Sequence, residues 1–356
     1  MSKVVFVTQQ VDPEHATLGA AAAMVRALAA RVDEVVVLAA AAAVETLPAN
    51  VRFRSFRAPA QALRGLRFES ALVRELARGR PTAVLAHMSP IYAVLAAPLT
   101  RPLRVPLLLW FTQQRAGPAL GRAERVVGAI LTVDTRSVPL ASPKVRAIGH
   151  GIDVTEFACA EHAAAGGGAL RLLSLGRYAE AKGHDVALRG LRALLDRGVE
   201  AELTVRGEEA TPTDVHVRAR LDDLVRELDL GDRVRLLDAA PRSDVPALLA
   251  ATDVLVNATH GAAADKVVFE AAACCTPVIA ASPVFDGLLP DDLRFRDGDA
   301  AELALRLAAL AALPPERRRV LGEGLRGQVE AAHSVEHWAD AVLAAAGGRE
   351  VRWPSG

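Results

Sequence analysis

The chain lacks most of the features that mark whole classes of protein. Aromatic residues make up 4% of its 356 positions, and it has three cysteines. No run of eighteen or more strongly apolar residues occurs, so no bilayer-spanning helix is expected. Basic and acidic residues number 42 each, so formal net charge is zero and nothing electrostatic favours a nucleic-acid partner. Cys274 and Cys275 are adjacent, which is poor disulfide geometry, and Cys159 is far off in sequence. Reduced thiols and a cytoplasmic setting are therefore expected. The first residues, MSKVVFVTQQ, read as a strand rather than a signal peptide. There is no C-x-x-C, H-E-x-x-H, G-x-S-x-G or Walker A pattern, and the first strand is not followed by G-x-G-x-x-G. His333 and His337 share H-x-x-x-H spacing but read as two surface histidines, so no metal site is predicted.

What is present is a long series of short apolar runs. The length suits two domains, and the abundance of alanine predicts cores of small side chains with close helix–sheet packing. Strands are predicted at Lys3–Thr8, Asp33–Leu38, Val51–Phe56, Pro81–Ala86, Val105–Trp110, before Asp134, and at Lys144–Ile148. A glycine-rich stretch, Ala158–Gly168, reads as a linker or loop. A second series then begins, with strands at Leu170–Leu175, Ala201–Arg206, Val234–Leu237, Val254–Asn257 and Val278–Ala280. Helices are expected between them, from Gly19, Ile91, Asp185, Val217, Asp244 and Asp265, with three more after Asp299. Strands alternating with helices predict an α/β fold of two Rossmann-like parallel-sheet domains.

Residues 52–80 hold eight arginines, Arg52, Arg54, Arg57, Arg64, Arg67, Arg74, Arg78 and Arg80. A solvated helix face is the favoured reading, over peripheral contact with anionic lipid.

In open α/β sheets ligands bind at the carboxyl ends of strands. The polar and glycine positions there are Gly19, His87, Gln113 and Asp134 in the first half. In the second half they are Gly176, Arg177, Lys182, Gly207, Glu208, Asp238 and the stretch Asn257–Glu270. Arg177 and Lys182 flank a tight turn before a helix, where they could grip phosphate oxygens. Gly261, Ala262, Ala263 and Ala264 are small residues leading through Asp265, Lys266 and Val267 into a helix, which suits close approach of backbone N–H groups to an anion. Glu270 sits among alanines on that helix and needs solvent or a hydrogen-bonding partner; a ribose diol would supply one. His87 on its own reads as a structural histidine.

Several of these pieces together resemble one family. G-R-Y-x-x-A-K-G-H-D (Gly176–Asp185), N-A-T…E-A-A-A-C-C-T-P-V-I (Asn257–Ile279) and S-P-K-V-R-A-I-G-H-G-I-D (Ser142–Asp153) resemble GT-B fold glycosyltransferases of the retaining family 4 group. The resemblance covers nearly the whole chain and implies two facing Rossmann-like domains with a cleft between them. It implies an acceptor-side domain at 1–150, a nucleotide-sugar donor domain at 151–334, and a helix at 335–356 packing back on the first. By the same resemblance, Arg177 and Lys182 hold the nucleotide diphosphate and Glu270 contacts the ribose. The turn Gly261–Val267 receives donor sugar and phosphates, His87 approaches the transferring sugar, and Gly19 lies near the donor phosphate. Glu208 and Asp238 are placed near the base, and Gln113, Glu14 and His15 near the acceptor. The implied reaction is transfer from a nucleotide-sugar to a hydroxyl acceptor (a small molecule, a glycan or a lipid-linked hydroxyl) with retention. No metal or other cofactor is expected, because basic side chains take the metal's place. Hinge motion near Gly149–Gly151 would close the domains.

The chain departs from the family at two places. The first acid of the family's E-x7-E falls on Ala262, so Asp265, Lys266 or backbone amides would have to meet the sugar. The polar position shortly after L-L-L-W, often histidine in relatives, is Gln113. A nucleotide-sugar epimerase of the same fold, or a non-catalytic nucleotide-sugar-binding subunit, are the alternative readings.

Overall fold

In the computed structural model, residues 2–15, 18–159 and 168–348 are described. They form two compact units, one running to Asp153 and resuming at Ala331, the other Val154–Glu330. Of the predicted stretch Ala158–Gly168, residues 160–167 lie outside the described residues.

In chain order, the first unit contains β1 (Lys3–Val7), β2 (Gln10–Val11), α1 (Ala20–Ala29), β3 (Glu34–Ala39), β4 (Ala41–Ala42), β5 (Val51–Ser55), α2 (Gln61–Ala77), β6 (Ala83–His87), α3 (Pro90–Thr100), β7 (Leu107–Trp110), α4 (Pro118–Val126), β8 (Ala129–Thr132) and β9 (Val145–Ala147). Seven of these strands form one parallel sheet in the order β5-β3-β1-β6-β7-β8-β9. Its inner strands are apolar on both faces because helices cover both, as the continuous runs VVFV and LLLW require.

The second unit contains β10 (Leu170–Leu175), α5 (His184–Leu195), β11 (Ala201–Gly207), α6 (Pro212–Glu227), β12 (Val234–Asp238), α7 (Val245–Ala250), β13 (Val254–Asn257), α8 (Lys266–Ala273), β14 (Val278–Ala280), α9 (Ala300–Ala311) and most of α10 (Pro315–Ala332). Its five strands run parallel in the order β12-β11-β10-β13-β14. The last helix, α11 (Val335–Ala346), returns to the first unit. A bridge joins Ile152 to Ser334, Arg31 Nε donates to Asp340 Oδ1 at 2.6 Å, and Trp338 packs edge-on to Trp110.

Gly149 and Gly151 have φ of +82° and +81°. A Cβ on Gly149 would lie 2.0 Å from the Ala332 carbonyl oxygen, so close backbone approach accounts for that glycine. Helix α2 falls within the arginine-rich segment read as a helix face, whereas α4 lies where no helix is expected. The arginine-rich segment is only in part a solvated face. Arg52, Arg54 and Arg78 converge on Glu75, which is fully buried on the inner side of α2. Burial pushes the Glu75 carboxyl up, but Arg52 and Arg54 outweigh it and hold the group at about 2.

Two expectations are corrected. Three reduced thiols are expected, but Cys275 is joined in a disulfide to Cys159, 116 residues away, and Cys274 alone stays free and buried. The pairing is made by the fold, and sequence spacing does not reveal it. His333 and His337 are not two surface histidines: His333 is 7% exposed at the junction of α10 and α11, and His337 is half-buried.

Candidate functional site

Each parallel sheet has one point where strand order reverses, and the loops leaving the two strands there diverge to opposite faces of the sheet. In the second unit that point lies between β10 and β13. The turn after β10 carries Gly176, Arg177 and Lys182; the turn after β13 carries Thr259, Gly261, Ala262 and Asp265 and opens α8. The two predicted motifs therefore meet because topology puts them side by side. Gly183 seals the contact: its φ is +61°, and a Cβ there would lie 2.2 Å from the Ala258 carbonyl oxygen. Gly207, ending β11, approaches the Gly176 carbonyl as closely, so both glycines serve backbone proximity.

His184 fixes the first turn. Its Nε2 donates to the Arg177 carbonyl (3.1 Å), which leaves Nδ1 to accept from Ser174 Oγ (2.9 Å). Burial lowers the His184 pKa, which keeps the ring neutral and this tautomer in place. Arg177 is half exposed, its Nε 3.8 Å from Asp214. Tyr178, fully buried, donates to the Leu237 carbonyl (2.8 Å) and lies under the Arg218 guanidinium.

Lys182 Nζ donates to Asp265 Oδ1 at 2.6 Å. The other carboxylate oxygen accepts from Asn257 Nδ2 (2.9 Å) and from the Thr259 hydroxyl. Burial pushes the Asp265 carboxyl up, but the Lys182 ammonium and these donors outweigh it and hold it below its ordinary range. Asp265 is the N-cap of α8 yet makes no side-chain cap bond, so the first turn of α8 has N–H groups with no side-chain acceptor from it. Gly261 (φ +73°) donates its N–H to Asp297 Oδ2 (2.9 Å), and His260 pairs with the same carboxylate.

Glu270 has a protein partner that the sequence did not show. Its side chain is 3% exposed, and Oε1 accepts from Arg242 at 2.6 Å with Lys266 Nζ at 3.2 Å. Burial pushes this carboxyl up too, and Lys266 and Arg242 pull it below its usual range. Arg242, before α7, also lies 3.5 Å from Glu156 and over the Phe157 ring. No pattern in the sequence singles out Arg242, because 28 residues separate it from Glu270. Asp265 and Lys266, expected to meet a sugar in place of the missing acid, are both held in ion pairs, and Val267 is half-buried beside them. Glu208 is exposed beside Gly207, and Asp238 is exposed and paired with Arg218 at 2.6 Å.

In the first unit the reversal lies between β1 and β6. His87, ending β6, is 4% exposed, stacks on Phe6, and bonds through Nδ1 to the Thr8 hydroxyl across that point (3.1 Å). Burial, with His150 nearby, lowers its pKa to about 3, so it is neutral. Gly19 precedes α1, and a Cβ there would meet the Pro13 and His15 carbonyls. Glu14 and Gln113 are exposed, and His15 Nδ1 accepts from the Leu18 N–H. Among the described residues no group of three or more His, Cys, Asp or Glu is arranged to hold a metal ion, and no helix is long and apolar enough to cross a membrane.

Residues 169–312 match the family described as "Glycosyl transferases group 1". A D-inositol 3-phosphate glycosyltransferase of Saccharomonospora viridis is 32% identical over 199 residues, 52% of this chain and 46% of that protein. The chain thus matches less than half the length of that curated relative. Two solved structures share the fold over nearly all of both chains. A sucrose-phosphate synthase from Thermosynechococcus elongatus has TM-score 0.72 and 19% identity, covering 96% of this chain and 97% of its own. HepE of Anabaena, solved in complex with UDP and glucose, has TM-score 0.73 and 15% identity, covering 98% and 100%. Residues 169–312 are a glycosyl transferases group 1 domain, and the chain has the GT-B fold.

Proposed function

We propose that this chain is a retaining glycosyltransferase that binds a nucleotide-sugar donor in its second unit and passes the sugar to a hydroxyl acceptor. The observation that carries the reading is the meeting of Lys182 with the N-terminal turn of α8 at the β10/β13 switch point. A lysine beside the N-terminus of a helix is an arrangement suited to a diphosphate. That the matched family is glycosyltransferases, and that HepE was solved with UDP and glucose, supports the same reading.

In this reading Arg177 and Lys182 neutralise charge on the leaving diphosphate. The anomeric C–O bond to phosphate breaks as the bond to the acceptor oxygen forms on the same face of the sugar. A diphosphate oxygen takes the acceptor's proton, so no protein nucleophile is needed. Neutral His87 is a hydrogen-bonding group for a sugar hydroxyl, and Glu270, tethered to Arg242, is the ribose contact. No metal takes part, so EDTA is expected to leave the rate unchanged.

The test is a panel of UDP-, GDP-, ADP- and dTDP-sugars, with binding read by thermal shift and turnover by release of nucleoside diphosphate with candidate acceptors. Lys182→Ala and Arg177→Ala are each expected to lose about a hundredfold or more in transfer while staying folded, the usual size for one electrostatic donor. Near-normal rates in both would sink the assignment. Ala262 gives the non-catalytic subunit reading its one support, and binding without turnover on any acceptor would favour it. Conversion of the nucleotide-sugar alone would favour the epimerase.

A further inference from the structure

Lys182 already has an anion. Its ammonium lies 2.6 Å from Asp265 Oδ1, and the carboxylate is fixed from its other side by Thr259 and Asn257. The Lys182 side chain is 25% exposed and that of Asp265 14% exposed. The Lys182 stem lies against Gly176, where a Cβ would be 3.2 Å from Cδ. Asn257 is oriented for the same carboxylate: its amide donates there while its own buried Oδ1 has no hydrogen-bond partner among the described residues. Asp265 forgoes the cap bond its position at α8 offers.

We propose that Asp265 is a resident counter-anion of the donor site, holding the Lys182 ammonium at rest and competing for it with the donor's diphosphate. The proposal rests on the reading that Lys182 serves the diphosphate. An arriving phosphate oxygen then meets a neutralised pair rather than a lone cation. A ligand gains Lys182 only by offering more negative charge than one carboxylate and by engaging the α8 N–H groups at the same time. Asp265 thereby selects for diphosphates over single phosphates and weakens them all. It is a positioning and specificity residue, not a group that touches the reacting atoms.

The experiment is calorimetric titration of the full chain with inorganic pyrophosphate and with UDP, GDP, ADP and dTDP. The proteins are wild type, Asp265→Asn, Asp265→Ala, and Asp265→Asn combined with Lys182→Ala, each checked for folding by circular dichroism. Both single variants are expected to bind pyrophosphate at least about tenfold more tightly than wild type, or about 1.4 kcal/mol. The gain is expected to vanish in the double variant. A folded Asp265 variant that binds pyrophosphate no better than wild type overturns the proposal, and weaker binding makes Asp265 a support for Lys182 only. Thr259→Val removes one hydrogen bond that fixes the carboxylate and is expected to tighten pyrophosphate about threefold. It decides the matter if neither Asp265 variant folds, and no change in it counts against the proposal. The two levels of argument fail differently. A pyrophosphate gain with no nucleoside diphosphate bound by any form upholds the counter-anion and discards the nucleotide-sugar reading. Nucleoside diphosphate bound equally by wild type and both variants does the reverse.

Discussion

Replacing Arg242 by methionine leaves the Glu270 carboxylate buried with a single cation. The wild-type carboxylate is 3% exposed, with Arg242 at 2.6 Å and Lys266 at 3.2 Å. Removing one partner of a buried ion pair costs about 3–5 kcal/mol, because the remaining charge keeps its desolvation penalty without its compensation. Lys266 stays, so the lower end applies, about 3 kcal/mol. Loss of the guanidinium over Phe157 adds about 0.5–1 kcal/mol. A unit spanning Val154–Glu330 loses about 2–4 °C of melting temperature per kcal/mol, so the expected drop is about 7–16 °C. Differential scanning calorimetry is the right assay, since the buried tryptophans Trp110 and Trp338 lie in the other unit. Adding Glu270→Gln to Arg242→Met removes the stranded charge and is expected to recover more than half of the loss, a coupling of about 2 kcal/mol. A shift of about 2 °C or less in Arg242→Met, or no recovery in the pair, would refute the claim that Arg242 holds Glu270 in place.

Two further outcomes follow from other parts of the molecule. Burial, aided by neighbouring histidines, depresses both His87 and His333 to a pKa of about 3, so each ring is neutral when folded and takes up a proton on unfolding below pH 6.5. Stability of the first unit is therefore full above pH 6.5 and falls as pH drops toward 3, at up to about 1.4 kcal/mol per pH unit for each ring. Urea titrations followed by tryptophan fluorescence at pH 7.5, 6.5 and 5.5 check this, and flat stability across that range would contradict it. The Cys159–Cys275 bridge closes a loop of 116 residues, and such a crosslink is worth about 4–5 kcal/mol in the chain-entropy account. Non-reducing peptide mapping should recover the linked peptides, and Cys159→Ser should melt below wild type under oxidising conditions; free thiols at both positions would remove the bridge from the account.

Much of the scaffold was legible because parallel strands buried on both faces are written as unbroken apolar runs. VVFV, VVVLA and LLLW stand out for that reason. Helix α4 was not legible: it starts at Pro118 after a glycine, and only Leu120 and Ala123 are buried, too few for a periodic signal. The two site turns were legible because each is a contiguous motif, and their meeting follows from parallel α/β topology. What joins them was not. The Lys182–Asp265 pair spans 83 residues and the Arg242–Glu270 pair 28, and charge pairs at such separations leave no trace in composition or spacing. The same holds for Cys159, whose partner is chosen by the fold. Ala262 was visible as a missing acid, but only the structure shows that the nearby Asp265 is turned to Lys182.

The central claim is that the β10/β13 switch point is a nucleoside diphosphate site with Lys182 at its heart. Isothermal titration of wild type and Lys182→Ala with UDP, GDP, ADP and dTDP tests it most directly. The account predicts saturable, one-to-one binding of at least one of the four by wild type, weakened about tenfold or more in the folded variant, as loss of a charge-assisted hydrogen bond requires. Binding that Lys182→Ala leaves unchanged, or no binding of any of the four by wild type, would contradict it.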